Sequence, residues 1–397
     1  MLFNKPLTEI DESDLQMLVD NNVREGREVE YKQALTITTP EEKQEFLNDV
    51  SAFANTSGGT LIYGIKESKL DAGIPVEVCG LKGENPGGKI VDMVNIINTG
   101  LEPQLHGVSI HPISLPSHER RVVIALHIPQ SFASPHMVRS SGRFYARNAT
   151  GKFPLDVTQL RNAFELAGTI AERIRSFRVE RLSRISIGED TPTPLDEQAA
   201  KLVLHMLPFN AFSTPIYVDI SPLYDGIKGE LFNPLNAWDL RPDVDMRFNV
   251  DGIARSVSWG DPSSTAAYTQ VFRNGIIETV DMSILGINAW NVDKFGTKVE
   301  KRSFSGKLYE KQLFEAVKRY IDLQKFLGID PPFFIMVSFL GVKGYRIGHP
   351  KFTYNISQYT REIDRINLII TEVIIDNFNA DVGAIVYAKL KGALPHI

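Results

Sequence analysis

The chain has 397 residues, of which 43% are hydrophobic and 23% charged, with a formal net charge of −5. This composition excludes the disordered and collagen-like classes and leaves room for about two domains with cores of their own. The single cysteine, Cys79, excludes an internal disulfide and a thiolate metal cage, and no apolar run approaches the roughly 20 residues of a spanning helix. Met1–Asp14 is acidic and lacks the apolar stretch of a signal peptide, so the chain reads as cytoplasmic with no membrane partner. Charge is unevenly spread: residues 1–119 carry 19 acidic and 9 basic side chains, residues 120–184 only 4 acidic and 12 basic. Folded together, two such segments set carboxylates beside a phosphate-attracting surface.

In chain order, Asp11–Val23 has helical spacing of Leu15, Leu18 and Val19. Glu28-Val29-Glu30-Tyr31-Lys32 then alternates as a strand with one wet face. Thr39-Pro40-Glu41-Glu42 combines a hydroxyl cap, proline at the first helical position and a glutamate three after the cap, and opens a helix carried by Phe46, Val50, Phe53 and Ala54. Gly58-Gly59 closes it, and Thr60–Ile65 reads as a buried strand. Lys89–Asn98 reads as a helix, Arg121–Ile128 as a second buried strand, and Arg143–Arg147 alternates again. Asp156 to about Ile187 is helical, and the proline-bearing Gly188–Pro194 marks a boundary. Beyond it, Asp251-Gly252 and Asn274-Gly275 are hairpin signals. A helix over Leu308–Leu327, a strand over Phe333–Leu340 and a helix within Gln358–Phe378 complete the reading. The expected fold is mixed α/β (α+β): a first domain over 1–165, a basic helix and linker over 166–194, and a second α+β domain over 195–397.

The chemistry concentrates in Glu25-Gly26-Arg27-Glu28-Val29-Glu30-Tyr31-Lys32. On a strand Glu28, Glu30 and Lys32 share a face, and a corner at Gly26 would let Glu25 join them. Oxygen ligands beside a lysine suit Mg²⁺ or Mn²⁺, although charged strand faces are commonly just solvated. Arg143, Tyr145 and Arg147 share a strand face that combines phosphate contacts with an aromatic plane for an unpaired base; the plainer alternative is an exposed edge strand. Arg175, Arg178, Arg181 and Arg184 step by three along a helix and either extend a phosphate track or pair with an acidic surface of another subunit. His136 reads as a structural loop histidine and Cys79 as a packed side chain. Gly58-Gly59 follows a helix and lacks Gly-Lys-Ser/Thr, so no Walker-type ATP site is read.

Glu25-x4-Glu30-Tyr31-Lys32, the run Val50–Ile65, the segment from Ile128-Pro129 to Ser134-Pro135-His136, and Gly142–Arg147 occur in an order that strongly resembles the Alba-like domain of the Schlafen family, over roughly residues 13–165. The resemblance implies a metal-dependent endoribonuclease acting on structured RNA such as tRNA, with a role in anti-phage defence. It implies Glu25, Glu30 and Lys32 as catalytic residues, Glu67 as the third carboxylate with Asp71 in reserve, and a divalent cation, Mg²⁺ or Mn²⁺, on Glu25, Glu30 and Glu67. Family members commonly carry acidic residues directly after the strand ending at Ile65, where this chain reads Lys66-Glu67-Ser68. Arg139, Arg143, Tyr145 and Arg147 would contact RNA or single-stranded nucleic acid. Many nuclease-active relatives build a cleft from two such lobes; one lobe here implies a homodimer. The alternative is a non-hydrolytic, transcription-factor-like regulator that binds nucleic acid or ATP, which the Lys66 departure favours.

Overall fold

A computed structural model describes residues 7–82, 86–118, 121–213, 217–235, 244–258, 265–285, 289–292, 298–348, 362–376 and 378. The chain divides into two units, residues 1–171 with 330–332, and residues 172–329 with 333–397.

The elements of the first unit are α1 (Glu12–Asp20), β1 (Val29–Lys32), α2 (Pro40–Ala54), β2 (Gly59–Tyr63), β3 (Ile65–Glu67), β4 (Pro75–Val78), β5 (Leu81–Lys82), α3 (Pro86–Gly100), β6 (Leu101–Glu102), β7 (Ser109–Ser114), β8 (Arg121–Ile128), β9 (Met137–Val138), β10 (Arg143–Asn148), β11 (Gly151–Pro154) and α4 (Val157–Ser186), the last crossing into the second unit. β1 pairs parallel with β2, β2 antiparallel with β8, and β5 and β7 also pair with β8. A four-stranded sheet runs β11-β10-β9-β6.

Alternation along the strands sends side chains to two faces of the main sheet. Leu61, Tyr63, Leu126 and Ile128 pack with Phe46, Val50 and Phe53 of α2 and Met93 and Ile97 of α3. Val29, Tyr31, Ile62 and Ala125 pack with Leu15 and Leu18 of α1. Glu30 and Lys32 therefore fall on the α2 face of an edge strand. Two glycines set the path around them. Gly59 has φ +155°, and a Cβ there would lie 2.5 Å from the Phe53 ring and 2.6 Å from the Glu28 carbonyl oxygen, so only glycine lets β2 pass so close to α2. Gly64, at φ +105°, breaks the run expected as one strand to Ile65: β2 stops at Tyr63, and β3 starts a separate ladder with β4.

Helix α2 starts as its sequence implies. The Thr39 hydroxyl accepts from the Glu42 N–H at 3.2 Å, and the Glu42 carboxylate accepts from the Thr39 N–H at 3.0 Å. Removing the cap with Thr39→Ala is expected to cost about 1 kcal/mol in urea unfolding; an unchanged midpoint would show that tertiary packing alone fixes this helix start.

The second unit is built on an eight-stranded antiparallel sheet. Its order is Val244–Phe248, Gly252–Ser258, Thr265–Phe272, Ile277–Asp281, Lys201–Pro208 and Phe333–Leu340, with Leu368–Ile369 and Val373–Ile375 both on the last of these. Both hairpin signals sit at turns between paired strands. One face carries Leu204, Met206, Ile277 and Ile335 against the helix Gly306–Phe326, through Leu313, Ala316, Val317 and Tyr320. The other carries Val203 and Val280 against Leu182 and Ile185 of α4. The helix expected within Gln358–Phe378 is corrected: residues 358–361 lie outside the described residues, and the two runs that follow, Leu368–Ile369 and Val373–Ile375, are short strands rich in β-branched side chains. Among the described residues, no helix is long and apolar enough to cross a membrane.

Candidate functional site

Glu25 precedes β1 and turns at Gly26, whose N–H bonds the Val29 carbonyl at 3.1 Å. The corner lets the Glu25 carboxylate fold back and accept from the Tyr31 N–H at 2.5 Å, which occupies a backbone donor on an edge strand. Behind it, the Glu25 N–H bonds the Gly73 carbonyl at 2.7 Å, and the Gly73 N–H donates to the Glu67 carboxylate at 3.1 Å. Gly73 thus ties Glu25 to Glu67, and the break at Gly64 delivers Glu67 there. Burial, with Glu67 and Glu30 nearby, pushes the Glu25 carboxyl up to about 7 despite the Tyr31 bond. Asp71, the reserve for the third carboxylate, is drawn away by Arg24, 2.6 Å from its guanidinium.

Glu30 sits differently. It is 8% exposed, and both carboxylate oxygens are engaged, one by the Lys32 ammonium and the other by the Arg147 guanidinium. Burial works against its charge, but Lys32 and Arg147 outweigh it and hold the carboxyl below its usual range. Arg147 also donates to the Gly26 carbonyl at 3.0 and 3.3 Å and lies over the Phe53 ring, 4.2 Å from its centroid. Lys32 is 3.7 Å from Asp49, and Lys152 of β11 is 2.5 Å from the other Asp49 oxygen and also pairs with Glu45. Burial and the neighbouring Glu30 raise the Asp49 carboxyl. The result is an alternating chain of acids and bases between β1, α2 and the β10–β11 hairpin. Asp49 and Lys152 were absent from the sequence reading; an acid three after Phe46 and four before Phe53, inside the apolar stripe of α2, is the signal that marks Asp49.

Three expectations are corrected here. The strand face holding Glu30 is covered rather than wet, because the β10–β11 hairpin closes over it. Tyr145 is a core residue, 9% exposed, whose carbonyl accepts from the Asn55 amide at 2.9 Å, so it offers no plane to a base. Arg147 is buried as the partner of Glu30 and is not a surface phosphate ligand. Arg143 and Arg139, by contrast, are exposed on the turn between β9 and β10, with Gly142 open to solvent at φ +65°. His136 is buried with a ring nitrogen 2.7 Å from the Pro103 carbonyl, and Cys79 is buried with its thiol on the Gly64 carbonyl.

As a cation site, Glu25 and Glu67 offer two neighbouring carboxylates, but Glu30 cannot contribute without releasing Lys32 and Arg147. Among the described residues, no three His, Cys, Asp or Glu side chains stand together as a metal cage. The trio Glu25, Glu30 and Glu67 therefore does not fit Mg²⁺ or Mn²⁺ in this arrangement.

The family model described as Schlafen, AlbA_2 matches residues 25–156, from Glu25 to the residue before α4. This part of the chain, a third of its length, is similar to the Schlafen AlbA_2 family. The structure of the N-terminal domain of a RecG-related protein from Nitrosomonas europaea is 21% identical, with 32% of this chain and 80% of that chain covered and a TM-score of 0.25. The DIP2311 protein of Corynebacterium diphtheriae is 12% identical over 64% of each chain, with a TM-score of 0.24. Neither superposition is close enough to transfer a function. No curated protein matches the chain.

Proposed function

We propose that the AlbA_2 domain is a non-hydrolytic nucleic-acid-binding module that grips phosphates through Arg139 and Arg143. The observation that carries this reading is the double engagement of Glu30 by Lys32 and Arg147, which uses the central carboxylate to hold β1 to the β10–β11 hairpin. Arg139 and Arg143 flank a short turn with Ser140 and Ser141, a geometry suited to backbone phosphates and indifferent to base identity. In fluorescence anisotropy with short single-stranded RNA, the pair Arg139→Ala and Arg143→Ala is expected to weaken binding about tenfold and flatten its salt dependence. Binding that does not respond to this pair, or no binding by the unaltered chain, would dispose of the proposal.

One observation favours a second reading, the divalent-cation-dependent endoribonuclease acting on tRNA-like RNA. Glu25 is pushed up to about 7 by burial beside Glu67 and Glu30, a repulsion that a hard cation would relieve. The two readings part on one assay. Products from tRNA that require Mn²⁺ and vanish in Glu25→Gln support the nuclease; retention of intact tRNA in a complex supports the binder.

A further inference from the structure

The strand Val244–Phe248 closes one side of the second unit's sheet. It pairs with Gly252–Ser258 on its inner side, and among the described residues no strand pairs with its outer side. The Asn249 N–H bonds the Gly252 carbonyl at 2.9 Å. Backbone groups alternate sides along an antiparallel strand, so Asp245 and Arg247 direct theirs inward, whereas Val244, Met246 and Phe248 direct theirs to the open edge. Their side chains are also accessible: Val244 is 41% exposed and Phe248 46%, and Asp245 and Arg247 are exposed.

The strand reads Val-Asp-Met-Arg-Phe, which is self-complementary about its centre. Laid antiparallel on itself with Met246 on a two-fold axis, it puts Val244 opposite Phe248 and Asp245 opposite Arg247, on both sides of the axis. Each pair shares a face of the sheet, and each outward N–H meets an outward carbonyl. We infer that this strand is the contact through which two copies of the chain join, extending one sheet across both. Apolar pairs and opposite charges at facing positions are what stabilise adjacent strands, and an isologous contact of this kind closes after two copies. Tyr224, 55% exposed and stacked on Phe248 at 5.3 Å, thickens the apolar side of the seam. An unprotected apolar edge is otherwise a route to open-ended aggregation. The charge pattern admits one register and rejects a shift by one residue, which would also move every side chain to the wrong face.

Sedimentation of the full chain over a wide concentration range tests this. The unaltered chain is expected to show a monomer–dimer equilibrium. Asp245→Arg places arginines opposite each other at two symmetric positions and is expected to weaken the dimer at least about tenfold. Asp245→Arg with Arg247→Asp restores the pattern in mirror order and is expected to recover the dimer. Met246→Pro removes the central N–H and is expected to leave only monomer. The Arg247 side chain also bonds the Pro192 carbonyl, whereas the Asp245 side chain makes no hydrogen bond or ion pair among the described residues, so Asp245→Arg is the deciding single change. A chain that is monomeric throughout, or a dimer indifferent to Asp245→Arg, overturns the inference. Both outcomes are independent of what the AlbA_2 domain binds.

Discussion

Urea unfolding of Arg181→Met is expected to show a loss of about 3–5 kcal/mol, the largest effect of any single substitution considered. Arg181, on α4, meets the fully buried Glu278 with two hydrogen bonds of 2.7 Å each. The Tyr268 hydroxyl donates to the same carboxylate at 2.8 Å, and the His205 ring nitrogen lies 3.0 Å from it. Burial alone would raise the Glu278 carboxyl; Arg181 and His205 override it and hold it at about 2. Removing the guanidinium leaves a charge in the core with two neutral-capable neighbours and no fork. Combining Arg181→Met with Glu278→Leu removes both charges, and the double variant is expected to be more stable than Arg181→Met alone, because the cost lies in the orphaned charge. A loss below about 1 kcal/mol in the single variant would mean that His205 and Tyr268 suffice.

The sign of the pH response follows from the same pair. Glu278 is ionised in the folded chain to a lower pH than in the unfolded chain, so its contribution is complete above about 4.5. It is lost as pH falls through about 2. The acid limb of a midpoint-against-pH curve should therefore flatten in the double variant.

The arginine ladder shows where sequence reading stops. Spacing by three correctly puts Arg175, Arg178, Arg181 and Arg184 on one helix, but not what faces them. Arg178 bonds the Val337 and Ile370 carbonyls and the Ser338 hydroxyl, Arg181 takes Glu278, and Arg184 pairs with Glu180 and Asp190. These partners lie mostly far along the chain, so the stripe docks a helix onto its own sheet, and neither the phosphate track nor the second subunit is needed to explain it. Local signals fared otherwise. The Thr39–Glu42 cap, the Gly26 corner and the two hairpin turns are decided by neighbours within a few residues, and each formed as read. Strand alternation gave the intermediate case. Arg143, Tyr145 and Arg147 do share a face, but period two assigns residues to a face without saying whether that face is covered. Helix α2 covers it at Tyr145 and Arg147 and leaves Arg143 outside. Likewise the spacing of Glu25 and Glu30 carried both to one edge, while Arg147, 117 residues from Glu30, decided that Glu30 would be occupied.

Arg147 is accordingly the residue on which the two readings of the AlbA_2 domain divide. Arg147→Met strips Glu30 of one partner, the Gly26 carbonyl of two donors and Phe53 of its cation. The expected cost is about 3 kcal/mol in urea unfolding, with Arg147→Lys intermediate because it keeps the charge but not the planar fork. The same change leaves Glu30 with Lys32 alone, beside Glu25 and Glu67. If Glu30 is a structural tie, calorimetric titration with Mn²⁺ should show no binding in either the unaltered chain or Arg147→Met, and RNA affinity should survive in the folded fraction. If Arg147 instead guards a cation site, its removal frees a third carboxylate in a cluster where Glu25 already resists ionisation, and Mn²⁺ affinity should rise. Heat from Mn²⁺ in Arg147→Met, abolished by adding Glu67→Gln, would transfer the weight from the binding module to the nuclease.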